Sequence, residues 1–86
     1  MIKMKLKEFV KTRNEKFGVV IFDTLKEKVF VANETGKDIV DLLQKGYSLE
    51  NMIQSLSDLY NKEPAEIKKD ILSFLDSLKS NSLIEV

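Results

Sequence analysis

Eighty-six residues, 43% hydrophobic and 33% charged, describe one folded domain spanning 1–86 rather than a disordered chain. Its 14 basic and 14 acidic side chains cancel, which argues against a partner recognised by bulk charge, such as duplex DNA or an anionic membrane. With no Cys and no His, disulfides, thiolate nucleophiles, imidazole bases and the usual transition-metal sites are excluded.

The chain opens on Met1-Ile2-Lys3-Met4-Lys5-Leu6-Lys7, basic but with no apolar stretch behind it, so it does not read as a signal peptide. No apolar run approaches a bilayer span, and a cytoplasmic location is expected. Leu6 to Arg13 sets Leu6, Phe9 and Val10 among lysines and reads as a weak strand. Arg13-Asn14-Glu15-Lys16 reads as a polar turn. Phe17 to Asp23 is strongly β. Val19 and Ile21 point to one face, Val20 and Phe22 to the other, as in a central strand covered on both sides at least in part. Thr24-Leu25-Lys26-Glu27 has the length of a hairpin connection. Lys28 to Ala32 is the next strand, with Val29 and Val31 opposite Phe30.

Helix formers dominate the rest of the chain. The first helix begins at Asn33 or Thr35, where Asn33 can accept from the backbone N–H groups of the opening turn. Asp38, Ile39, Leu42 and Leu43 keep its period, and Gly46 stops it. Ser48 caps a second helix whose apolar stripe is Leu49, Met52, Ile53, Leu56, Leu59 and Tyr60. Pro64 suits the first turn of a third helix, with Ile67, Ile71, Phe74, Leu75 and Leu78 as its buried face. Asn81 caps its end, and Leu83-Ile84-Glu85-Val86 is an apolar tail able to pack on the helices or add a short strand. The expected fold is α+β: a three-stranded antiparallel sheet followed by three helices, winged helix-turn-helix-like.

Little here carries chemistry. Asp38 with Asp41, and Asp70 with Asp76, read as solvated helix faces, because no His or Cys accompanies either pair. Gly18, Gly36 and Gly46 are isolated and form no phosphate-cradling loop. No catalytic residue, metal site or cofactor is assigned, and the chain is not expected to be an enzyme. Arg13 is the one arginine, and Lys68, Lys69 and Lys79 share their helix with Glu66, Asp70 and Asp76. Lys3, Lys5, Lys7 and Lys11 read as a lysine-decorated edge that resists aggregation. Neither nucleic acid nor membrane is therefore expected as a partner. A winged-helix DNA-binding or protein-interaction module stays as the alternative reading, with a structural subunit of a larger assembly as a third.

Peptide binding asks for something the chain does offer. Lys28 to Ala32 closes the sheet, so its outer N–H and C=O groups are free for an extended peptide, or for a second copy of the chain. Leu72 lies outside the core arc of the third helix, with Lys68 one turn before it. Either it packs on the amino-terminal strand or the Leu83-Ile84 tail, or it stands exposed as an apolar contact. If it has neither role, the groove moves to the opposite flank, near Asp70 and Ser77.

From about Phe17 to Ile84 the chain resembles the PqqD-like family of leader-peptide-binding modules, also called RiPP recognition elements. The features carrying the resemblance are Gly18, Asp23, the junction Val29-Phe30-Val31-Ala32-Asn33-Glu34-Thr35-Gly36, then Ile39 with Leu42-Leu43. Gly46-Tyr47-Ser48-Leu49-Glu50, Leu56 with Leu59-Tyr60, Asp70-Ile71-Leu72, Phe74-Leu75 with Leu78, and Leu83-Ile84 complete the series. The resemblance implies a non-catalytic chaperone that binds the leader of a ribosomally made precursor by strand addition. It implies delivery of that leader to a maturation enzyme, often a radical SAM protein. It puts the backbone of Lys28, Val29, Phe30, Val31 and Ala32 on the ladder and Lys68, Ile71, Leu72 and Leu75 along the groove. Leu25-Lys26 departs from the Pro-Glu pair of the pyrroloquinoline-quinone members, which implies a different peptide pathway.

Zero net charge and a single arginine set an expectation for DNA. A gel-shift series at physiological salt should detect no specific duplex complex, with any low-salt binding lost steeply as salt rises. A footprint on a defined operator would contradict it.

Overall fold

The computed structural model describes residues 4–85; Met1 to Lys3 of the basic amino end and Val86 of the tail lie outside them. A short strand β1 (Lys5–Leu6) is followed by β2 (Val10–Glu15), β3 (Gly18–Asp23) and β4 (Lys28–Asn33). Helices α1 (Glu34–Gln44), α2 (Leu49–Tyr60) and α3 (Pro64–Ser80) come next, and β5 (Ile84–Glu85) closes the order. The main sheet runs β2-β3-β4, antiparallel throughout, while β1 and β5 pair separately. The α+β class and the order of strands before helices are as the periodicities predict.

Two expectations are corrected in the first third. The weak strand over Leu6 to Arg13 is two strands, β1 and β2. Arg13-Asn14-Glu15 is not a turn but the end of β2, with Arg13 opposite Val20 and Glu15 opposite Gly18. Cross-strand pairing with the strongly β-forming β3 outweighs the polar composition, and the turn shrinks to Lys16-Phe17. The tail takes its strand option, Leu6 opposite Ile84.

One face of the sheet carries the core. Val19 and Ile21 from β3 meet Ile39, Val40 and Leu43 of α1, Met52 and Leu56 of α2, and Ile67, Ile71, Leu75 and Leu78 of α3. No described helix covers the other face, so the expected cover on both sides of β3 is only partial. Val20 is shielded there by its cross-strand neighbours Arg13 and Val31, and the Arg13 guanidinium lies 5.8 Å from the Phe22 ring centroid.

The helix boundaries follow local chemistry. The Asn33 carboxamide accepts from Gly36 N, and the Ser48 hydroxyl accepts from Asn51 N. Gly46 takes the left-handed conformation (φ 81°) just past α1, as a helix-ending glycine does. Pro64 opens α3, where no N–H is needed. Leu59 departs from its predicted stripe: it stands at the border of the buried arc of α2 and is 65% exposed. Tyr60 of that stripe donates its phenolic hydrogen to Asp38, tying the end of α2 to α1. Burial first, then the Asp38 hydrogen bond, pushes the Tyr60 phenol above its ordinary value.

Gly18 is fixed by a close approach. A Cβ there would lie 2.0 Å from the Ala32 carbonyl oxygen, and its φ of 155° disfavours any L side chain. Gly18→Ala should therefore cost about 3 kcal/mol in denaturant unfolding, because the clash is with backbone that cannot rotate away. A loss below about 1 kcal/mol would mean the β3–β4 approach is looser than described.

Candidate functional site

The site begins with an unfinished ladder. Among the described residues no strand pairs with the outer side of β4, so alternate N–H and C=O groups of Lys28–Asn33 lack ladder partners. β2 is the other open edge. It carries Lys11, Arg13 and Glu15, the charged composition that discourages edge pairing. β4 instead offers Val29, Phe30, Val31 and Ala32. Phe30 and Ala32 turn towards the helices, while Val29 and Val31 lie on the open face, 58% and 66% exposed.

A groove runs beside β4, and α3 forms its far wall. One cavity, about 310 Å³, is lined by residues 29–32 of β4, by Phe74, Ser77 and Leu78 of α3, and by Leu83 beyond it. A second, about 440 Å³, shares Phe74 and Ser77 and continues past Asp70 and Ser73 to Asn33, Thr35 and Gly36. A third shares Asn33 and Thr35 and ends at Lys16, Phe17 and Glu34. The shared linings make these one trough, more apolar at the Phe30–Leu78 end, where Ser77 and Asn81 are the polar members of the lining, and more polar at the Asn33–Asp70 end.

Three local devices hold the trough in shape. A Cβ on Gly36 would sit 2.7 Å from the Ala32 Cβ and 3.0 Å from Phe74 Cε1, so the missing side chain admits the Phe74 ring between α1 and α3. The Asn33 cap fixes the turn from β4 into α1. Asp23, 1% exposed, accepts through one carboxylate oxygen from Leu25 N and Lys26 N, each at 3.0 Å, and so pins the hairpin that starts β4. Its other oxygen, Oδ2, is buried without a hydrogen-bond partner among the described residues. Thr24 adds a second pin, its hydroxyl donating to the Phe9 carbonyl at 2.6 Å.

The strand residues of the expected site lie along the trough, and the helix residues lie outside it. Lys28 is exposed at the start of β4, and Val29, Phe30, Val31 and Ala32 line the trough. Ile71 and Leu75 are core positions, 0% and 3% exposed, as the helical period predicts, and so lie on the sheet side rather than along the groove that the resemblance implies. Lys68 and Leu72 line none of the three cavities. At about 100° per residue, Leu72 stands some 160° around α3 from Asp70, on the flank away from β4. Leu72 is 41% exposed, so of its two readings the exposed one holds, but away from the trough.

The groove face of α3 is Asp70, Ser73, Phe74 and Ser77, with Leu78 at its inner border. The signal in the sequence was small polar residues at helical spacing around one aromatic. Phe74, counted wholly to the core, is only half-buried. No catalytic arrangement is built here, and no cluster of three or more potential metal ligands occurs among the described residues.

An antiparallel sheet with an open edge, three helices on one face and a trough between edge and third helix defines a small α+β module of winged-helix type. The sequence model of one family, coenzyme PQQ synthesis protein D (PqqD), matches residues 18–84, and the chain belongs to the PqqD family. Among solved structures it is similar to a lasso peptide synthetase B1 complexed with the leader peptide, at 25% identity and TM-score 0.90, covering 99% of this chain and 100% of that one. It is similar to TbiB1 in complex with the TbiA(beta) leader peptide, at 22% identity and TM-score 0.88, covering 94% of each chain. It is also similar to the PqqD truncation of Methylobacterium extorquens PqqCD, solved by NMR as a functional, stand-alone RiPP recognition element. That likeness has 22% identity and TM-score 0.81, covering 96% of this chain and 88% of that one. No curated protein matches the chain.

The two flanks of α3 should respond oppositely to substitution. Leu72→Asp should change unfolding free energy by less than about 1 kcal/mol, since little burial is lost. Ile71→Ala should cost about 3 kcal/mol, the scale of truncating a fully buried side chain. Similar costs at both positions would contradict the assignment of faces.

Proposed function

We propose that this protein binds the leader segment of a ribosomally made precursor peptide as an added strand on β4, and presents it to a maturation enzyme. The observation carrying the proposal is the unpaired β4 edge beside a continuous trough. Backbone hydrogen bonds supply sequence-tolerant grip, and side chains falling on the α3 side supply selection. Membership of the PqqD family supports this reading. So does the likeness along the full chain to a protein described in complex with a leader peptide.

The protein contributes grip rather than bond-making. Its groove offers hydroxyls, one carboxylate, one aromatic ring and backbone amides, which hold and orient a peptide. The chemistry belongs to the enzyme that receives the leader, a radical SAM protein or another maturase. Leu25-Lys26 in the hairpin supports a peptide pathway other than that of the quinone. No described helix is long and apolar enough to cross a membrane. The β4 edge also allows pairing with a second copy, which would compete with the leader for the same hydrogen-bonding groups.

The test uses the synthetic leader of a precursor peptide, sought among the short open reading frames neighbouring this chain's gene. Titrated into labelled protein, it should shift the amides of Lys28–Asn33 and of the Asp70–Asn81 face. Shifts confined to Met4–Lys11 would contradict the proposal. Ser77→Tyr, which fills the trough from an exposed position, should leave stability within about 0.5 kcal/mol of the parent and weaken the leader at least about tenfold. A stable variant of unchanged affinity would place the peptide elsewhere.

A further inference from the structure

The trough is chemically asymmetric, and the asymmetry predicts what it reads. Its Phe30–Leu78 end is walled mainly by apolar side chains with Leu83 behind them, and Ser77 and Asn81 are the polar residues of that lining. Its other end presents the exposed Asp70 carboxylate next to Ser73, Thr35 and Asn33. The Asn33 carboxamide is committed to capping α1. Asp70 has no ion pair: the two found among the described residues are Lys5–Glu85 and Arg13–Glu15, both elsewhere. Beyond Asp70, Lys16 and Glu34 line the adjoining cavity with opposite charges. The charge left over at this end of the trough is therefore that of Asp70.

Two independent rulers give the separation of the ends. Along α3, eight residues from Asp70 to Leu78 rise about 12 Å at 1.5 Å each. Along β4, the steps from Asn33 back to Phe30 and Val29 span about 10–13 Å at 3.3 Å each. An extended peptide covers that distance in about four residues, and residues four apart in a strand point to the same face. α3 runs antiparallel to β4, since Asp70 lies by Asn33 and Leu78 by Phe30. A peptide continuing the all-antiparallel sheet would enter at the Asn33 end with its amino-terminal half.

We propose that the groove selects a bipartite motif in the bound peptide: a lysine or arginine over Asp70, followed four residues later by a large apolar side chain in the Phe30–Leu78 cavity. This rests on the strand-addition reading and specifies its ligand. The cationic residue finds the Asp70 carboxylate in a cavity also lined by Ser73 and Ser77, and the apolar one is removed from water. The three intervening positions are held mainly through backbone, so the groove tolerates variation there.

The experiment pans a phage-displayed library of random twelve-residue peptides against the intact protein, its Asp70→Asn and Asp70→Lys variants, and the groove-filled Ser77→Tyr protein. Asp70 is exposed, so both Asp70 variants should fold, and their melting curves check it. The parent should enrich peptides with Lys or Arg four residues before Leu, Ile, Phe or Met. Alanine in place of the basic residue should weaken a selected peptide about fivefold on the parent and less than twofold on Asp70→Asn. Asp70→Lys should shift the enriched residue to Asp or Glu while keeping the apolar one. Enrichment of apolar motifs without the basic residue, the reverse order, or identical motifs from parent and Asp70→Lys would overturn this inference and leave strand addition standing. No enrichment over Ser77→Tyr would overturn strand addition itself, and this inference with it.

Discussion

The structure depends on one packing constraint, the admission of the Phe74 ring between α1 and α3. Gly36 makes room for it, since a methyl at that position would meet both the ring and the Ala32 side chain. Phe74 thereby spaces α3 from β4 without closing the gap between them. Ile67, Ile71, Leu75 and Leu78 fasten the helix to the sheet on one side of the ring. Ser73 and Ser77 leave the other side open. A larger residue at either serine would fill the trough, and a smaller one at Phe74 would let it collapse. The same economy appears at Gly18, where β4 can cross close to β3 only because no side chain intervenes. Both glycines act on β4, at Ala32 and Asn33, which is where the strand hands over to the helix.

Most of the fold was legible because it is written in local patterns. The alternation in Phe17 to Asp23, the caps Asn33 and Ser48, the stop at Gly46 and the start at Pro64 each need only a few neighbouring residues, and each stands as read. What the pattern misplaced needed longer-range information. Arg13-Asn14-Glu15 looks like a turn by composition and is strand by pairing, because β3 supplies a partner at every position. Leu59 fits the period of α2 but sits at the border of what the other helices cover.

The position of the trough was half legible for the same reason. That the strand of residues 28–32 would be an edge follows from its order in the chain. Which flank of α3 faces that edge does not follow from the helix alone. Periodicity identifies the buried arc but leaves two borders, Lys68–Leu72 on one side and Asp70–Ser73–Ser77 on the other. Leu72 stands out as an apolar residue outside the arc. The α3 wall of the trough is marked by small polar side chains, which leave space rather than fill it. The clue that separates the borders is Gly36, where a side chain would meet first the Ala32 side chain and then the Phe74 ring.

On the proposed reading, the open edge, the trough and its polar end give a peptide three kinds of contact in one pass: backbone ladder, apolar socket and carboxylate. On that reading none of these makes or breaks a bond, and together they hold a flexible chain in one register for another protein to act on. The most direct measurement is the nuclear Overhauser pattern of the complex, with labelled protein and unlabelled leader. Cross-strand contacts between leader α-protons and the α-protons of residues 28–33, accompanied by contacts to the Phe74 ring, are the predicted result. Cross-strand contacts to Val10–Glu15, or contacts to α3 with none to β4, would contradict the account.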